Sequence, residues 1–190
     1  LVRRVLLVLT GVGHTAVTLA AWNTTPQPLL SGWLMLDAAG LLFLTITSIL
    51  FLACSVYAFA YLAIQGAGKQ QDYEEGMLFT NAPDAVFCAC LEAFLATMTL
   101  VTVSRHFGLL WVAMEATTLA SAPLIYFHRH HRSLEATWKY LLICSVGIAL
   151  ALLGNFLMVI AASKPGGEGI AIVVDTLIEN GANLNVPWLR

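Results

Sequence analysis

The stretch "LLWVAMEATTLASAPLIYF", residues 109–127, has the length and apolar character of a membrane-spanning helix, yet it contains an acid. Glu115 is the only charged residue within it. At the rise of an α-helix, Glu115 lies roughly 18 Å from Phe127 and roughly 13 Å from His106. A charge at such depth costs about 2.5–3.5 kcal/mol or more, so an intramembrane acid marks an ion or proton pathway by default.

Composition identifies the class of protein. Of 190 residues, 59% are hydrophobic and 11% are charged, and the mean hydropathy is +0.81. A soluble domain carries roughly a quarter charged residues, so these values indicate a membrane protein. The formal net charge of −2 and the lack of a basic patch give no indication of nucleic-acid binding. The four cysteines lie in apolar segments and are interpreted as small apolar filler.

Five apolar stretches are long enough to span a bilayer core, which takes about 20 residues. The predicted spans are residues 5–22, 34–62, 85–104, 106–127 and 139–163. The sequence therefore predicts an all-α membrane protein with a helical bundle over 1–163 and an extramembrane connection over 164–190. A short interfacial helix is expected in the polar second connection, and a tight turn at Arg105.

The distribution of Lys and Arg predicts the orientation, because cytoplasmic loops carry the excess of these residues. One side of the membrane collects five of them, and the other collects Arg105 and Lys164. The five are Arg3, Arg4, Lys69, Arg129 and Arg132. We therefore expect a multi-pass protein of the inner (plasma) membrane with a cytoplasmic N-terminus and a cytoplasmic loop at 128–135.

The buried acid and two further charged residues within the spans are each open to two interpretations. Glu115 is either a pathway residue or a structural acid hydrogen-bonded to Thr117, Thr118 or a neighbouring helix. Lys139, at the start of the last predicted span, either extends to the interface or takes part in transport. Glu92, roughly 11 Å into its span, is either a second protonatable site or a partly hydrated acid near a helix end.

The histidines suggest no metal or haem site. His14 lies in the middle of the first span, where a hydrogen-bonded packing role is favoured over haem ligation because no second histidine has a matching depth. His128, His130 and His131 lie beside two arginines and are interpreted as a solvated basic loop. Cys88 and Cys90 point to nearly opposite sides of a helix and are poorly placed as paired metal ligands.

Two segments resemble a known family. "RHFGLLWVAMEATTLASAPLIY", a basic loop and "RSLEATWKYLLICSVGIALALLGNFL" are similar to the antiporter-like membrane subunits of respiratory complex I and group 4 hydrogenases. Those subunits carry a buried glutamate on one helix and the motif "LEAxxKY" at the start of the next. Glu115 matches the family glutamate, and Lys139 matches the lysine of the second motif.

The resemblance implies a fold and a function. It implies about fourteen helices in two inverted repeats, of which this chain would hold part of the first as an N-terminal fragment. It implies proton translocation without a cofactor in this subunit, with redox chemistry in hydrophilic partner subunits and further membrane-arm subunits beside it. Glu115 and Lys139 would form the proton pathway, Lys139 within a hydrated relay, and the lysine that switches Glu115 would lie beyond Arg190. Glu92 is added to this pathway as a candidate from its position in the span alone.

Two other functions remain open at this point. The chain could belong to a multisubunit cation/proton antiporter, with sodium as the transported ion, or it could be a scaffold that only assembles a membrane complex. A direct ion pair between Glu115 and Lys139 is not expected, because the predicted spans place the two residues at different depths.

Overall fold

Five long helices make up most of the chain. The computed structural model describes residues 1–24, 26–64, 69–71, 78–162, 173–174 and 178. The helices are α1 (Val2–Ala21), α2 (Ala38–Ile64), α3 (Asp84–Val103), α4 (Phe107–Ile125) and α5 (His131–Ala162). Each is long and apolar enough to cross a membrane, which confirms the prediction of an all-α membrane protein with five such helices. A helix bonds its own backbone groups internally, as a lipid environment requires.

Helices α1 and α2 run antiparallel and approach closely at Gly11. A Cβ atom on Gly11 would lie 3.2 Å from Ser55 Oγ and 3.3 Å from Phe51 Cδ1, so glycine permits the close approach. Leu7 and Phe51 belong to the buried apolar cluster, which continues onto α3 through Cys88 and Leu95. The side chains that join α1, α2 and α3 therefore form the centre of the described bundle.

One end of the bundle, called here the first end, holds the start of α1, the end of α2 and the start of α3. Arg4 pairs with Asp84 at 2.5 Å. Since both residues lie at the start of their helices, α1 and α3 run parallel from this end. The end of α4 joins them, because Ala82 N donates to Phe127 O at 2.8 Å. Helix α5 begins at this end, shortly after Phe127. The helices thus alternate in direction along the chain.

The opposite end, called here the second end, is tied together around Arg105. Its backbone N donates to Trp33 O at 2.7 Å, and its guanidinium pairs with Asp37 at 2.8 Å. The ring of His106 stacks on Trp33 with centroids 4.2 Å apart. Val174 N donates to Arg105 O at 2.9 Å, so a described part of the last segment reaches this end.

Three predicted boundaries can be compared with the structure. The turn between α3 and α4 is tight, as expected, since it consists of 104–106. Helix α5 begins at His131, eight residues before the predicted apolar span over 139–163. Within the second connection the structure shows strands β1 (Lys69–Gln71) and β2 (Leu78–Thr80) paired antiparallel, where the sequence suggested an interfacial helix.

The reason for the early start of α5 is local hydrogen bonding. His130 N donates to Ser133 Oγ at 3.3 Å, and Leu134 N donates to His130 O at 3.0 Å. A serine at this position satisfies a backbone N–H at the helix start, so a polar segment extends the apolar helix. Most of the predicted connection over 164–190 lies outside the described residues.

Candidate functional site

Glu115 lies roughly 12 Å along α4 from Phe107 and is half-buried. Its carboxylate makes no hydrogen bond or ion pair with any other residue in the described part of the chain. The two neighbouring threonines bond to their own helix instead, Thr117 to Ala113 O at 2.8 Å and Thr118 to Met114 O at 3.3 Å. The hydroxyls that a structural acid would use are therefore engaged elsewhere.

Helices α4 and α5 are joined by two polar contacts on either side of the level of Glu115. Trp111 Nε1 donates to Ile148 O at 2.8 Å, and Ser121 Oγ lies 2.8 Å from Tyr140 Oη. These contacts fix how α5 lies against the helix that carries Glu115. Near the second end, a groove of about 350 Å³ lies between α4 and α5. It is lined by Trp111, Met114, Ile148 and Asn155 among others.

Lys139 lies on α5 and pairs with Glu135 on the same helix. Its Nζ is 2.5 Å from Glu135 Oε1, and the side chains are 67% and 59% exposed in the described chain. Lys139 lies roughly 12 Å along α5 from His131, so it is deeper in the helix than the sequence suggested. No ion pair joins Lys139 to Glu115, both of which the structure describes, as expected from the sequence.

Glu92 lies roughly 12 Å along α3 from Asp84 and accepts a short hydrogen bond from Thr10 Oγ1 of α1. Thr10 Oγ1 also lies 3.1 Å from Leu6 O and 2.9 Å from Leu7 O. The Glu92 carboxylate is therefore held at the seam between α1 and α3 and is not brought to Glu115.

His14 connects three helices. Its Nδ1 lies 2.9 Å from Ser48 Oγ of α2, and its Nε2 lies 3.0 Å from Thr99 Oγ1 of α3. The sequence predicted a hydrogen-bonded histidine but not these partners, because hydroxyl residues are frequent in all the spans and only the fold selects two of them. Among the described residues, no group of three or more His, Cys, Asp or Glu side chains is arranged to hold a metal ion.

His128 is not the solvated loop residue that the sequence suggested. Tyr61 Oη lies 3.1 Å from its Nε2, and Asn81 Oδ1 lies 2.7 Å from its Nδ1. Phe127 packs edge-on against the ring with centroids 5.3 Å apart. Burial lowers the pKa of His128 below its ordinary value of 6.5. The ring also borders a cavity of about 550 Å³, which is lined mainly by aromatic and apolar residues of α2, α3 and α4.

Similarity to other proteins covers most of this chain. A hydrogenase-4 component F homolog of Methylacidiphilum infernorum (isolate V4) is 33% identical over 143 residues, which are 75% of this chain and 28% of that protein. Chain 2 of NADH-ubiquinone oxidoreductase from Varanus nebulosus is 37% identical over 67 residues, 35% of this chain and 19% of that protein. The corresponding protein of Carassius auratus is 40% identical over 57 residues, 30% of this chain and 16% of that protein.

These relatives are much longer than the chain, which spans 28% or less of each of the three. No protein-family model matches the chain. No solved structure matches it either. The identity over three quarters of the chain and the five apolar helices agree with the resemblance seen in the sequence. The chain belongs to the family of antiporter-like membrane subunits that includes hydrogenase-4 component F and chain 2 of NADH-ubiquinone oxidoreductase.

Proposed function

We propose that this chain is part of a proton-translocating membrane subunit in a hydrogenase-like or NADH-quinone-oxidoreductase-like complex. Redox reactions in hydrophilic partner subunits would supply the energy, and neighbouring membrane-arm subunits would flank the chain in the inner (plasma) membrane. The family of the chain and its five apolar helices support this function. The residues proposed to carry the proton are Glu115, Glu92 and Lys139.

The observation that carries the proposal is the state of Glu115. Its carboxylate is half-buried in an apolar helix and has no bonded partner in the described part of the chain. The charge state of a carboxylate depends on its surroundings, so Glu115 could gain or lose a proton when a cation or water moves near it. Such a change of charge within a membrane is the elementary step of proton transport.

Lys139 and Glu135 have a supporting role in this proposal. The pair carries no net charge, and Glu four residues before Lys is the favourable order on a helix. The free-energy cost of keeping the pair on α5 is therefore small. Both side chains are exposed in the described chain and belong to one helix, so the pair can open without movement of another helix. A lysine released from Glu135 would become available to a hydrated relay beside α4.

The proposed orientation places the first end of the bundle in the cytoplasm. Arg3, Arg4, Arg129 and Arg132 flank the helices at this end, and Arg105 lies at the second end. An excess of positive residues on the cytoplasmic side is the general pattern for multi-pass membrane proteins.

The test is the substitution Glu115→Gln in the complete complex, with Glu115→Asp as the matched control. Glutamine keeps the shape and the hydrogen-bonding groups but cannot change charge. We expect the glutamine variant to assemble and to lose most redox-driven proton pumping, and the aspartate variant to retain a substantial part. Normal pumping by the glutamine variant would contradict the proposal. Ion exchange in the absence of redox turnover would instead indicate an antiporter, and an absence of transport by the unmodified protein would indicate a scaffold.

A further inference from the structure

His14 lies at the centre of a polar contact between three membrane-spanning helices. It is roughly 18 Å along α1 from Val2 and roughly 10 Å before Ala21. Both ring nitrogens face hydroxyl groups, Ser48 Oγ at 2.9 Å and Thr99 Oγ1 at 3.0 Å. Ser48 is buried. An ionisable ring held at this depth on both sides by polar partners is unusual for a residue that only fills space.

The two hydroxyls allow His14 to be satisfied in either protonation state. Ser48 Oγ also lies 2.6 Å from Leu44 O, and Thr99 Oγ1 lies 2.8 Å from Leu95 O. When both hydroxyls donate to these carbonyls, their oxygens can accept two N–H bonds, which only an imidazolium ring supplies. When one hydroxyl turns its hydrogen towards the ring, the neutral imidazole is satisfied instead. The change requires rotation of one O–H group and no movement of a backbone atom.

Thr18 adds a further polar atom to this cluster. Its hydroxyl donates to His14 O at 2.8 Å and lies 3.1 Å from Ser48 Oγ. Thr18 is buried as well. The hydroxyls that contact the His14 ring thus lie on α2 and α3, and Thr18 on α1 adds a third hydroxyl beside Ser48. The two hydroxyls at the ring can accept from a charged ring without supplying a fixed opposite charge.

The polar contacts continue from His14 towards the first end. Thr10 precedes His14 by one turn of α1, about 6 Å, and donates to Glu92. Further along the same seam, Arg4 pairs with Asp84. The charged groups that face this seam are Arg4 on α1 and Asp84 and Glu92 on α3, whereas α2 contributes none because Ala38–Ile64 contains no charged residue. Cys88, also on α3, is buried there as a free cysteine.

We propose that His14, Ser48 and Thr99 form a proton-carrying site that exchanges protons with Glu92 along the α1–α3 seam, separate from Glu115 on α4. The transfer breaks an N–H bond of the His14 imidazolium and forms an O–H bond on the Glu92 carboxylate. A water molecule passes the proton across the turn that separates His14 from Thr10. The inference rests on the proposed function, since it assumes that the chain moves protons.

The first test compares His14→Gln with His106→Gln in the complete complex. Glutamine at position 14 can bond to both hydroxyls but cannot carry a proton, whereas His106 lies at the second end against Trp33. We expect His14→Gln to lower the number of protons pumped per electron at least threefold, with assembly and electron transfer unchanged. His106→Gln should pump as the unmodified complex does. Unchanged pumping by His14→Gln would overturn the proposal.

A second test does not depend on pumping. The complete complex is labelled with ¹⁵N-histidine, and the His14 signal is assigned as the one that is missing from His14→Gln. In the unmodified complex this signal should convert between imidazole and imidazolium within about pH 5 to 9. Thr99→Val removes one acceptor and should reduce the imidazolium signal at a given pH. Thr47→Val is the control, because within the described residues the Thr47 hydroxyl bonds only to Phe43 O, at 2.9 Å. A His14 signal that does not titrate, or that Thr99→Val leaves unchanged, would overturn the proposal. Normal pumping by Glu115→Gln would instead contradict the proposed function. Failure of the proposed function can therefore be distinguished from failure of the His14 proposal.

Discussion

At the scale of the residue, His128 shows how a loop side chain becomes part of the packed structure. Its two nitrogens bond to Tyr61 of α2 and to Asn81, which directly follows β2. The Ser133 hydroxyl donates to its backbone carbonyl. The ring therefore joins the end of α2 to the strand pair, and the His128 backbone carbonyl joins them to the start of α5. Because the surroundings favour the uncharged ring, protonation of His128 should loosen the first end.

Acidification should accordingly destabilise the protein through His128. The folded state lowers the pKa of this group, so the unfolded chain binds the proton at higher pH. The stabilisation is fully present above about pH 6.5 and is lost as the pH falls through the lowered pKa. We expect the thermal unfolding midpoint in detergent to fall more between about pH 7.5 and 5.5 in the unmodified protein than in His128→Gln. Equal decreases in both would show that His128 is not responsible.

Charge alone identified Glu115, Lys139 and Glu92 as residues of interest, because an ionisable group within a long apolar stretch is visible in the sequence. The partner of Glu92 was not visible. The bond between Thr10 and Glu92 joins residues far apart in the chain, and nothing about an isolated threonine marks it as such a donor. The interpretation of His128 was wrong for the same reason, since its partners Tyr61 and Asn81 come from other elements.

At the scale of the element, the start of α2 is packed tightly against the end of α3 at Gly40. A Cβ atom there would lie 2.8 Å from Asp37 Oδ1 and 3.0 Å from Thr102 O. The first neighbour also accepts a hydrogen bond from Gly40 N at 2.8 Å, and its other oxygen pairs with Arg105. A side chain at position 40 would therefore disturb both the helix start and the ion pair of the second end.

Gly40→Ala should destabilise the protein, and Gly13→Ala should not. Overpacking against a backbone carbonyl costs about 1–3 kcal/mol, since the carbonyl cannot move aside as a flexible side chain can. A Cβ atom on Gly13 meets nothing within 4 Å, so alanine there should gain the helix propensity of about 0.5–1 kcal/mol. The thermal unfolding midpoints of the two variants provide the comparison. A midpoint for Gly40→Ala at or above that of the unmodified protein would contradict the packing described here.

Length and apolarity predicted all five helices, because spanning a bilayer requires both. The predicted apolar span at 139–163 begins after the start of α5, because the first turns of this helix are polar. The hydrogen bond from His130 N to Ser133 Oγ starts the helix before the apolar part begins. The strand pair of the second connection was missed because three-residue strands have too few residues to show an alternating pattern.

At the scale of the whole molecule, the alternation of the helices places the positive residues unevenly. The first end includes Arg3 and Arg4 at the start of α1 and Arg129 and Arg132 before and at the start of α5. The second end includes Arg105, which is paired with Asp37. This asymmetry predicts which end faces the cytoplasm, and accessible side chains at both ends make the orientation measurable.

Cysteines introduced at Leu134 and Leu29 should react differently with an impermeant thiol reagent. Leu134 is 54% exposed at the start of α5, and Leu29 is 61% exposed in the connection between α1 and α2. In intact cells, and in a background without the four native cysteines, we expect labelling at position 29 and protection at position 134. Permeabilised cells provide the control, since both positions should then react. Labelling of position 134 in intact cells would reverse the proposed orientation.

The short turn at 104–106 has a consequence for how the protein enters its membrane. Only these three residues separate α3 from α4, so the two helices can cross the bilayer during synthesis as one hairpin. Helix α4 has the lowest mean hydropathy of the five described helices, and Glu115 adds about 2.5–3.5 kcal/mol to the cost of inserting it alone. The more apolar α3 supplies the driving force that α4 lacks. We therefore expect α4 to insert efficiently only when α3 is attached to it, so that biosynthesis delivers the acid into the membrane already beside its packing partner.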